Sequence, residues 1–88
     1  MFKEKVVGLL AKNVNLKKEE IFKLLEIPKQ EFGDFAFPCF VLAKQLKKNP
    51  VQIASELSEE IRKKLPKEIA SGKSLGAYVN FFVQKENL

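Results

Sequence analysis

Hydrophobic and polar positions alternate along residues 76–84, and this segment carries the clearest strand pattern in the chain. Successive side chains of a strand point to opposite faces of a sheet. The first face is wholly apolar and suits a core; it carries Ala77, Val79, Phe81 and Val83. The second face mixes two aromatic rings with two amides; it carries Tyr78, Asn80, Phe82 and Gln84. Rings can stack on a nucleobase and amides can pair with its edge, so the second face is a candidate binding surface.

The second face also has a purely structural interpretation. Tyr and Phe are common in strands simply because they pack well on a pleated surface. A helix would then cover this face, with Tyr78 and Asn80 hydrogen-bonded inside the protein. Taken alone, the pattern favours this structural interpretation over a binding surface.

The rest of the chain is predicted to be mainly helical. Apolar residues recur at helical spacing in four segments, which are residues 1–14, 17–25, 38–48 and 49–65. The third segment is apolar over a wide arc and is predicted to be the most buried helix, with Pro38 at its first position. The fourth has the clearest start, with Asn49 as the cap, Pro50 next and Gln52 as a capping-box partner.

Two further segments complete the predicted fold. Residues 26–38 are predicted to be extended around a turn at Gly33 and Asp34, with Phe35, Phe37 and Phe40 in the core. Residues 67–72 and 77–85 are predicted to form a hairpin closed by a loop over residues 72–76. The prediction is a single compact α+β domain over residues 1–88, in which about four helices pack on a small antiparallel sheet.

Charge indicates a polyanionic partner. The chain of 88 residues is 45% hydrophobic with eight Phe, enough for a core, and its net charge is +5. Such a basic balance favours nucleic acid above other partners. All of its basic residues except Arg62 are lysines. Lysine holds phosphates as a point charge, whereas arginine is the usual reader of base edges, so rings and amides would have to read a base here.

Several functional classes are excluded or disfavoured by the sequence. With Cys39 as the only cysteine and no histidine, an intramolecular disulfide and a Cys/His metal site are excluded. Cys39 is predicted to be a buried hydrophobe, typical of a reducing, cytoplasmic setting. No apolar run nears the roughly 20 residues that span a bilayer, so no membrane partner is expected. The chain carries no phosphate loop and no catalytic triad, so we expect no cofactor, metal or catalytic residue in it.

Three ordered blocks resemble the N-terminal additional domain of arginyl-tRNA synthetases. Residues 27–36 (IPKQEFGDFA) resemble the family's Pro…Gly-Asp-aromatic-Ala signature, and a second block includes Leu42-Ala-Lys, Lys48-Asn-Pro and Ile53-Ala. Residues 76–82 (GAYVNFF) are similar to the run that closes the domain, with Ala77 where the family often has proline. The resemblance covers nearly the whole chain, and the Lys- and Glu-rich composition hints at an archaeal or thermophilic source.

The resemblance implies a function in tRNA binding. The chain would be a piece of a larger class I synthetase, a cytoplasmic, ATP-dependent arginine–tRNA ligase. This domain would dock on the elbow of arginine tRNA and contact an exposed D-loop base through Tyr78 and Asn80, with Gln84 and Asn87 near enough to join. ATP and arginine would bind in the catalytic domain, which would be the second partner. The chain by itself would therefore not be an enzyme.

A function of another class stays open at this point. The apolar face of the C-terminal strand would also suit a stand-alone protein-interaction or assembly module. Salt distinguishes the two functions, because RNA binding falls steeply with added salt and a hydrophobic interface barely responds.

Overall fold

The computed structural model describes residues 2–84 and shows the predicted α+β fold, with helices packed on a three-stranded antiparallel sheet. In chain order the elements are α1 (Phe2–Ala11), α2 (Lys18–Leu24), a short 3-10 helix (Gln30–Phe32), β1 (Phe35–Pro38), α3 (Phe40–Leu46), α4 (Pro50–Arg62), β2 (Ile69–Leu75) and β3 (Tyr78–Val83). The predicted number of helices and the small antiparallel sheet are confirmed within these residues.

The alternating segment found in the sequence forms the central strand of the sheet. The strand order is β1-β3-β2, and both neighbours run antiparallel to β3. Phe37 of β1 lies opposite Val79, and Gly72 of β2 lies opposite Phe81. A central strand has its backbone hydrogen bonds satisfied on both sides. The side chains of β3 are therefore held by neighbours on either side of the strand.

The inner face of the sheet forms the core. Val79 and Phe81 are fully buried, and Ala77 and Val83 are nearly so, as the alternation predicted. Helix α4 packs on this face through five buried residues, Ile53, Ala54, Leu57, Ser58 and Ile61. A Cβ atom at Gly72 would lie only 3.3 Å from the Ile61 side chain, so the absence of a side chain lets α4 approach the sheet closely.

Local interactions at the helix ends agree only in part with the predictions. The Asn49 side chain accepts a hydrogen bond from the Val51 N–H at 2.8 Å, as expected for an N-cap. Gln52 does not complete a capping box, because its amide donates to the Glu56 carboxylate at 3.1 Å instead. The Gln52 side chain is thus directed towards a residue one turn along the helix instead of back to the N-cap backbone N–H.

The predicted loop of the hairpin is wrong. Residues 72–75 continue β2, and the strands are joined at Gly76 and Ala77. Gly76 has a φ of 58°, the positive value that tight hairpin connections require. The sequence pattern treated Gly72 as a turn residue, but Gly72 lies inside the strand, where it admits α4.

The prediction for the third helix is also wrong in two respects. Pro38 ends β1, and α3 begins only at Phe40. Of the seven residues of α3 only Leu42 is buried, while Phe40 is 53% and Leu46 52% exposed. Packing of α3 is mainly against α4, so one stripe is covered and the rest of its apolar arc meets solvent. The most buried helix is instead α4.

Candidate nucleic-acid interface

The second face of the sheet is covered only in part: Tyr78 meets Phe40 of α3, and Asn80 meets Phe32 of the 3-10 helix. We call it the outer face and define it by Lys73, Leu75, Tyr78 and Asn80. Lys73 lies directly opposite Asn80, and Leu75 lies opposite Tyr78, so the members of each pair share a face. Lys73 and Leu75 are exposed and Tyr78 is partly exposed. The structural interpretation therefore holds in part: Asn80 is buried and hydrogen-bonded inside the protein, whereas Lys73 and Leu75 meet solvent.

Asn80 is the exception on this face, because it is only 4% exposed. Its Nδ2 atom donates a hydrogen bond to the backbone carbonyl of Phe32 at 2.7 Å. Its Oδ1 atom is buried without a hydrogen-bond partner. A buried polar atom left unpaired costs about 1–3 kcal/mol, and native structures rarely retain one without a reason. The Nδ2 atom of Asn80 thus supports the fold, and its Oδ1 atom is an acceptor without a partner among the described residues.

Asn80, which carries this unpaired acceptor, lines a small cavity on the outer face. This outer-face pocket has a volume of about 180 Å³, and its lining residues are Glu26, Pro28, Phe32, Ala36, Leu75, Tyr78 and Asn80. Pockets for drug-sized ligands span roughly 300–1,000 Å³, so this one suits a single flat ring. Its walls are mostly apolar or aromatic, and its few polar groups can fix the orientation of a ring.

Tyr78 is held by neighbours on two sides. Its ring meets the ring of Phe40 edge to face, with centroids 5.7 Å apart and an interplanar angle of 86°. Burial and the hydrogen-bonded Glu26 carboxylate raise the pKa of the Tyr78 hydroxyl. The hydroxyl therefore stays protonated at neutral pH. Phe40, which the sequence placed in the core, is a half-exposed neighbour of Tyr78, whereas Phe37 is buried and Phe35 is partly buried against the core.

Gly33 and Asp34 build the support under the pocket. A Cβ atom at Gly33 would lie 2.8 Å from the Phe81 carbonyl oxygen, and the φ of Gly33 is 126°, so glycine is required there. The Asp34 N–H donates to that same oxygen at 2.7 Å, and its carboxylate accepts from the Val83 N–H at 3.0 Å. This pair ties the 3-10 helix to β3 and sets the Phe32 carbonyl against Asn80. The Asp34 carboxylate is therefore a structural acceptor at the predicted turn.

The structure brings together only part of the predicted site. Tyr78 and Asn80 share the outer-face pocket. Gln84 is exposed just after β3 and does not line the pocket; its backbone N–H donates to the Glu68 carbonyl at 2.8 Å. Asn87 lies outside the described residues. The RNA-binding role of all four residues stays a prediction.

Sequence reasoning missed two charged residues of this region. Lys73 was assigned to a loop, and only the true strand register sets it beside Asn80. Glu26 reaches the pocket because an isolated antiparallel bridge pairs it with Ala36 of β1. An acidic residue before Ile27-Pro28 carries no local signal of that pairing, because it joins segments ten residues apart.

Other kinds of site are less well supported in residues 2–84. No three potential metal ligands cluster in this part of the chain. Cys39 is buried, and desolvation raises the pKa of its thiol to about 12, so it is an unreactive core residue as expected. None of the described helices has the length and apolar character needed to cross a membrane.

Comparisons with known proteins converge on one family. The family model for the arginyl-tRNA synthetase N-terminal domain matches residues 1–83. The chain is 48% identical over 85 residues to the arginine–tRNA ligase of Clostridium perfringens, and 42% identical over 88 residues to that of Lactobacillus acidophilus. These matches cover 96% and 99% of this chain. The expected archaeal or thermophilic source stays a prediction.

A solved structure gives the same result. The arginyl-tRNA synthetase of Thermus thermophilus matches 93% of this chain with a TM-score of 0.65 and 30% sequence identity. The chain spans 14% and 15% of the length of the two curated relatives, and 13% of the Thermus chain. With its fold and nearly its full length matched, the chain belongs to the family of arginyl-tRNA synthetase N-terminal domains.

Proposed function

We propose that this chain is the tRNA-binding domain of an arginine–tRNA ligase and that its outer-face pocket holds an exposed base from the D-loop of arginine tRNA. The observation that carries the proposal is that Asn80, whose buried Oδ1 atom has no hydrogen-bond partner in the protein, lines a pocket together with the aromatic residues Tyr78 and Phe32. A base would satisfy this acceptor and fill the pocket at once.

The chemistry of the pocket suits an unstacked base. Proteins recognise bases of RNA loops by stacking them on aromatic rings and by hydrogen bonds to their edges. Tyr78 offers the ring, and Asn80 offers the edge contact. One N–H of Asn80 Nδ2 is used by the Phe32 carbonyl and Oδ1 has no partner in the protein, so Oδ1 would accept from an N–H of the base. Stacking contributes roughly 1–3 kcal/mol for each base.

Lys73 is the proposed phosphate contact beside the pocket. It is exposed, and it lies opposite Asn80 on the neighbouring strand. Its ammonium group would hold the backbone of the nucleotide whose base enters the pocket, or of the next one. Such contacts set position and affinity without reading sequence.

In this proposal, the aminoacylation reaction takes place in another domain of the longer protein. ATP and arginine would bind in a catalytic domain, in the cytoplasm, and this domain would only position the tRNA. A single base contact with a few phosphate contacts binds weakly alone. Linked to the other tRNA contacts of a ligase, it would act at a high effective concentration and strengthen the complex.

The test is a binding series with arginine tRNA transcripts that carry an abasic nucleotide at each D-loop position in turn. We expect the wild-type chain to lose roughly 5- to 100-fold in affinity at one position, which is the value of one stacked base. Tyr78→Ala should lose the same factor in affinity for native tRNA. It should bind that abasic transcript with the same affinity as the wild-type chain does. Phe22→Ala, which removes a 46% exposed ring on α2, is the matched control and should behave as wild type.

Two results would contradict the proposal. In the first, every abasic transcript binds as native tRNA does. In the second, affinity stays constant between about 50 and 200 mM salt, where phosphate-dependent binding must fall. The second result would instead support a protein-interaction module.

A further inference from the structure

A groove lies among the helices, between α1, the start of α2 and the segment after α4. Its volume is about 690 Å³, and it shares no lining residue with the outer-face pocket. Helices α1 and α4 contribute buried residues to the core on the inner face of the sheet, so the groove belongs to the helix layer and not to the outer face. We call it the lysine groove and define it by its four lysines, Lys5, Lys12, Lys18 and Lys64.

The lysine groove carries positive charge that the domain leaves unbalanced. All four lysine side chains are exposed. Within residues 2–84, the ammonium groups of Lys12, Lys18 and Lys64 take part in no ion pair and no hydrogen bond, whereas Lys5 pairs with the Glu68 carboxylate at 3.7 Å. Three cations therefore meet solvent in one groove without a counter-charge.

Two carboxylates in the wall of the lysine groove favour a protein partner over RNA. They belong to Glu4 and Glu60, and each has a partner in the chain, which for Glu60 is Lys63 at 3.1 Å. Carboxylates repel the phosphates of RNA. A protein face can present groups of both signs in a complementary arrangement. Because lysines outnumber acids in the groove, such a face must be rich in carboxylates.

Gly8 leaves part of the lysine groove open. It lies inside α1, where a glycine lowers the stability of a helix relative to alanine. The backbone does not require a glycine, because its φ is not positive, and no described atom lies within 4 Å of a Cβ atom built there. Contacts within residues 2–84 thus give no reason for the missing side chain. A partner that approaches α1 closely in the groove would give one.

The end of β3 lies beside the lysine groove. The N–H of Gln84, directly after β3, donates to the Glu68 carbonyl at 2.8 Å, and the Glu68 carboxylate is the partner of Lys5. The matching family model describes an N-terminal domain, and this chain spans 14% and 15% of two curated relatives. In a ligase of such length, the domain that follows β3 is tethered next to the groove. The tether gives that domain a high effective concentration there.

We propose that the lysine groove is the docking surface for the next domain of the ligase, which meets it with a face rich in carboxylates. The three unpaired lysines supply the charge, Gly8 permits close approach, and the position of Gln84 brings the partner to the groove. This inference rests on the proposed function, because it takes the chain to be one domain of a longer ligase. It concerns a different surface from the outer-face pocket, so the two can be tested apart.

The first experiment compares lysine reactivity in the isolated chain and in the intact ligase without tRNA. N-hydroxysuccinimide acetate acetylates exposed amines, and mass spectrometry gives the labelling rate of each lysine. Lys12, Lys18 and Lys64 should react at least about fivefold more slowly in the ligase, because the core of an interface excludes solvent. Lys44, exposed on α3, is the control and should react equally fast in both.

The second experiment fills the groove. In the intact ligase, Gly8→Gln should bring the labelling rates of the groove lysines to within about twofold of the isolated chain, because its side chain occupies the space that the partner needs. Ser55→Gln adds the same side chain on the exposed side of α4 and should leave the rates unchanged. In the isolated chain, Gly8→Gln should melt no lower than wild type, since glutamine favours a helix.

A third experiment tests the chemistry of the partner. A carbodiimide joins an amine to a carboxylate that touches it, through an amide bond formed with loss of water. In the wild-type ligase it should join Lys12, Lys18 or Lys64 to Asp or Glu residues outside this chain, and in Gly8→Gln these cross-links should disappear. Slow labelling without such cross-links would overturn the carboxylate-rich partner.

The outcomes separate this inference from the proposed function. Equal labelling of the three lysines in the isolated chain and in the ligase would overturn the docking surface, whatever tRNA does. Protection that develops only when arginine tRNA is added would place RNA in the groove and would overturn it as well. If the lysines are protected in the ligase but no abasic transcript binds more weakly, the docking surface stands and the proposed base contact fails.

Discussion

The two faces of β3 differ although their residues alternate along one strand. On the inner face, Val79 and Phe81 are fully buried in an apolar core. On the outer face, Tyr78 is partly exposed and Asn80 keeps a buried acceptor without a partner. The same backbone ladder holds both sets. The inner face is arranged for stability, whereas the outer face keeps a polar atom that no group of the described residues satisfies.

Under the proposed function, a domain as small as this one would separate folding from recognition. A small domain has few core residues to spare, and each of them matters for its stability. Because side chains in a strand alternate, recognition groups can sit one residue away from core groups without entering the core. Substitutions on the two faces should therefore change different measurements.

The largest expected effect on stability comes from the inner face. Phe81→Ala should lower the free energy of unfolding by about 3–5 kcal/mol, because it removes a fully buried ring and leaves a cavity. Urea denaturation followed by circular dichroism measures this loss. Phe82→Ala, one residue along on a partly exposed side chain, is the control and should lose clearly less. Equal losses for the two variants would contradict the assignment of faces.

A smaller effect is expected at the support beneath the outer face. Gly33→Ala should cost about 1–3 kcal/mol, because the new Cβ meets the Phe81 carbonyl and the backbone is held at positive φ. Gly76→Ala is the matched control, since it also has positive φ but nothing lies within 4 Å of its Cβ position. Gly76→Ala should lower the free energy of unfolding by about 1 kcal/mol, because it adds backbone strain alone. A Gly33→Ala variant as stable as Gly76→Ala would show that the contact with Phe81 is unimportant.

The smallest effect is expected from the exposed charge of the outer face. Lys73→Gln should weaken binding to native and abasic tRNA alike and reduce the slope of log affinity against log salt by about 1, the value of one phosphate contact. Lys63→Gln, directly after α4, removes an equal charge from an exposed pair with Glu60 and should leave the slope unchanged. The same loss in both variants would mean that only net charge matters.

The sequence was sufficient for features that depend on neighbours along the chain. The period of two predicted that Val79 and Phe81 are buried, and the cap at Asn49 marked the start of α4. Burial of α3 was mispredicted because an apolar arc does not say how many partners cover it. Gly72 looked like a turn residue. Its place inside a strand is explained only by the close approach of the Ile61 side chain, which leaves little room for a Cβ atom.

The candidate site was predictable only in its central pair. Tyr78 and Asn80 follow from strand alternation, but the internal bond of Asn80 joins it to Phe32, 48 residues away. No local pattern shows such a bond. It has a practical consequence, since Asn80→Ala would leave the Phe32 carbonyl without its donor and disturb the fold. Tyr78 is therefore the cleaner residue for testing recognition.

The most direct test of the two-face account compares two leucines with nearly equal exposure. Leu75 on the outer face is 51% exposed, and Leu46, the last residue of α3, is 52% exposed. In a methyl-labelled sample titrated with arginine tRNA and followed by NMR, the account predicts that the Leu75 methyl signals shift or broaden and that those of Leu46 stay in place. Shifts at Leu46 with none at Leu75 would contradict the account and place the tRNA on the helices instead.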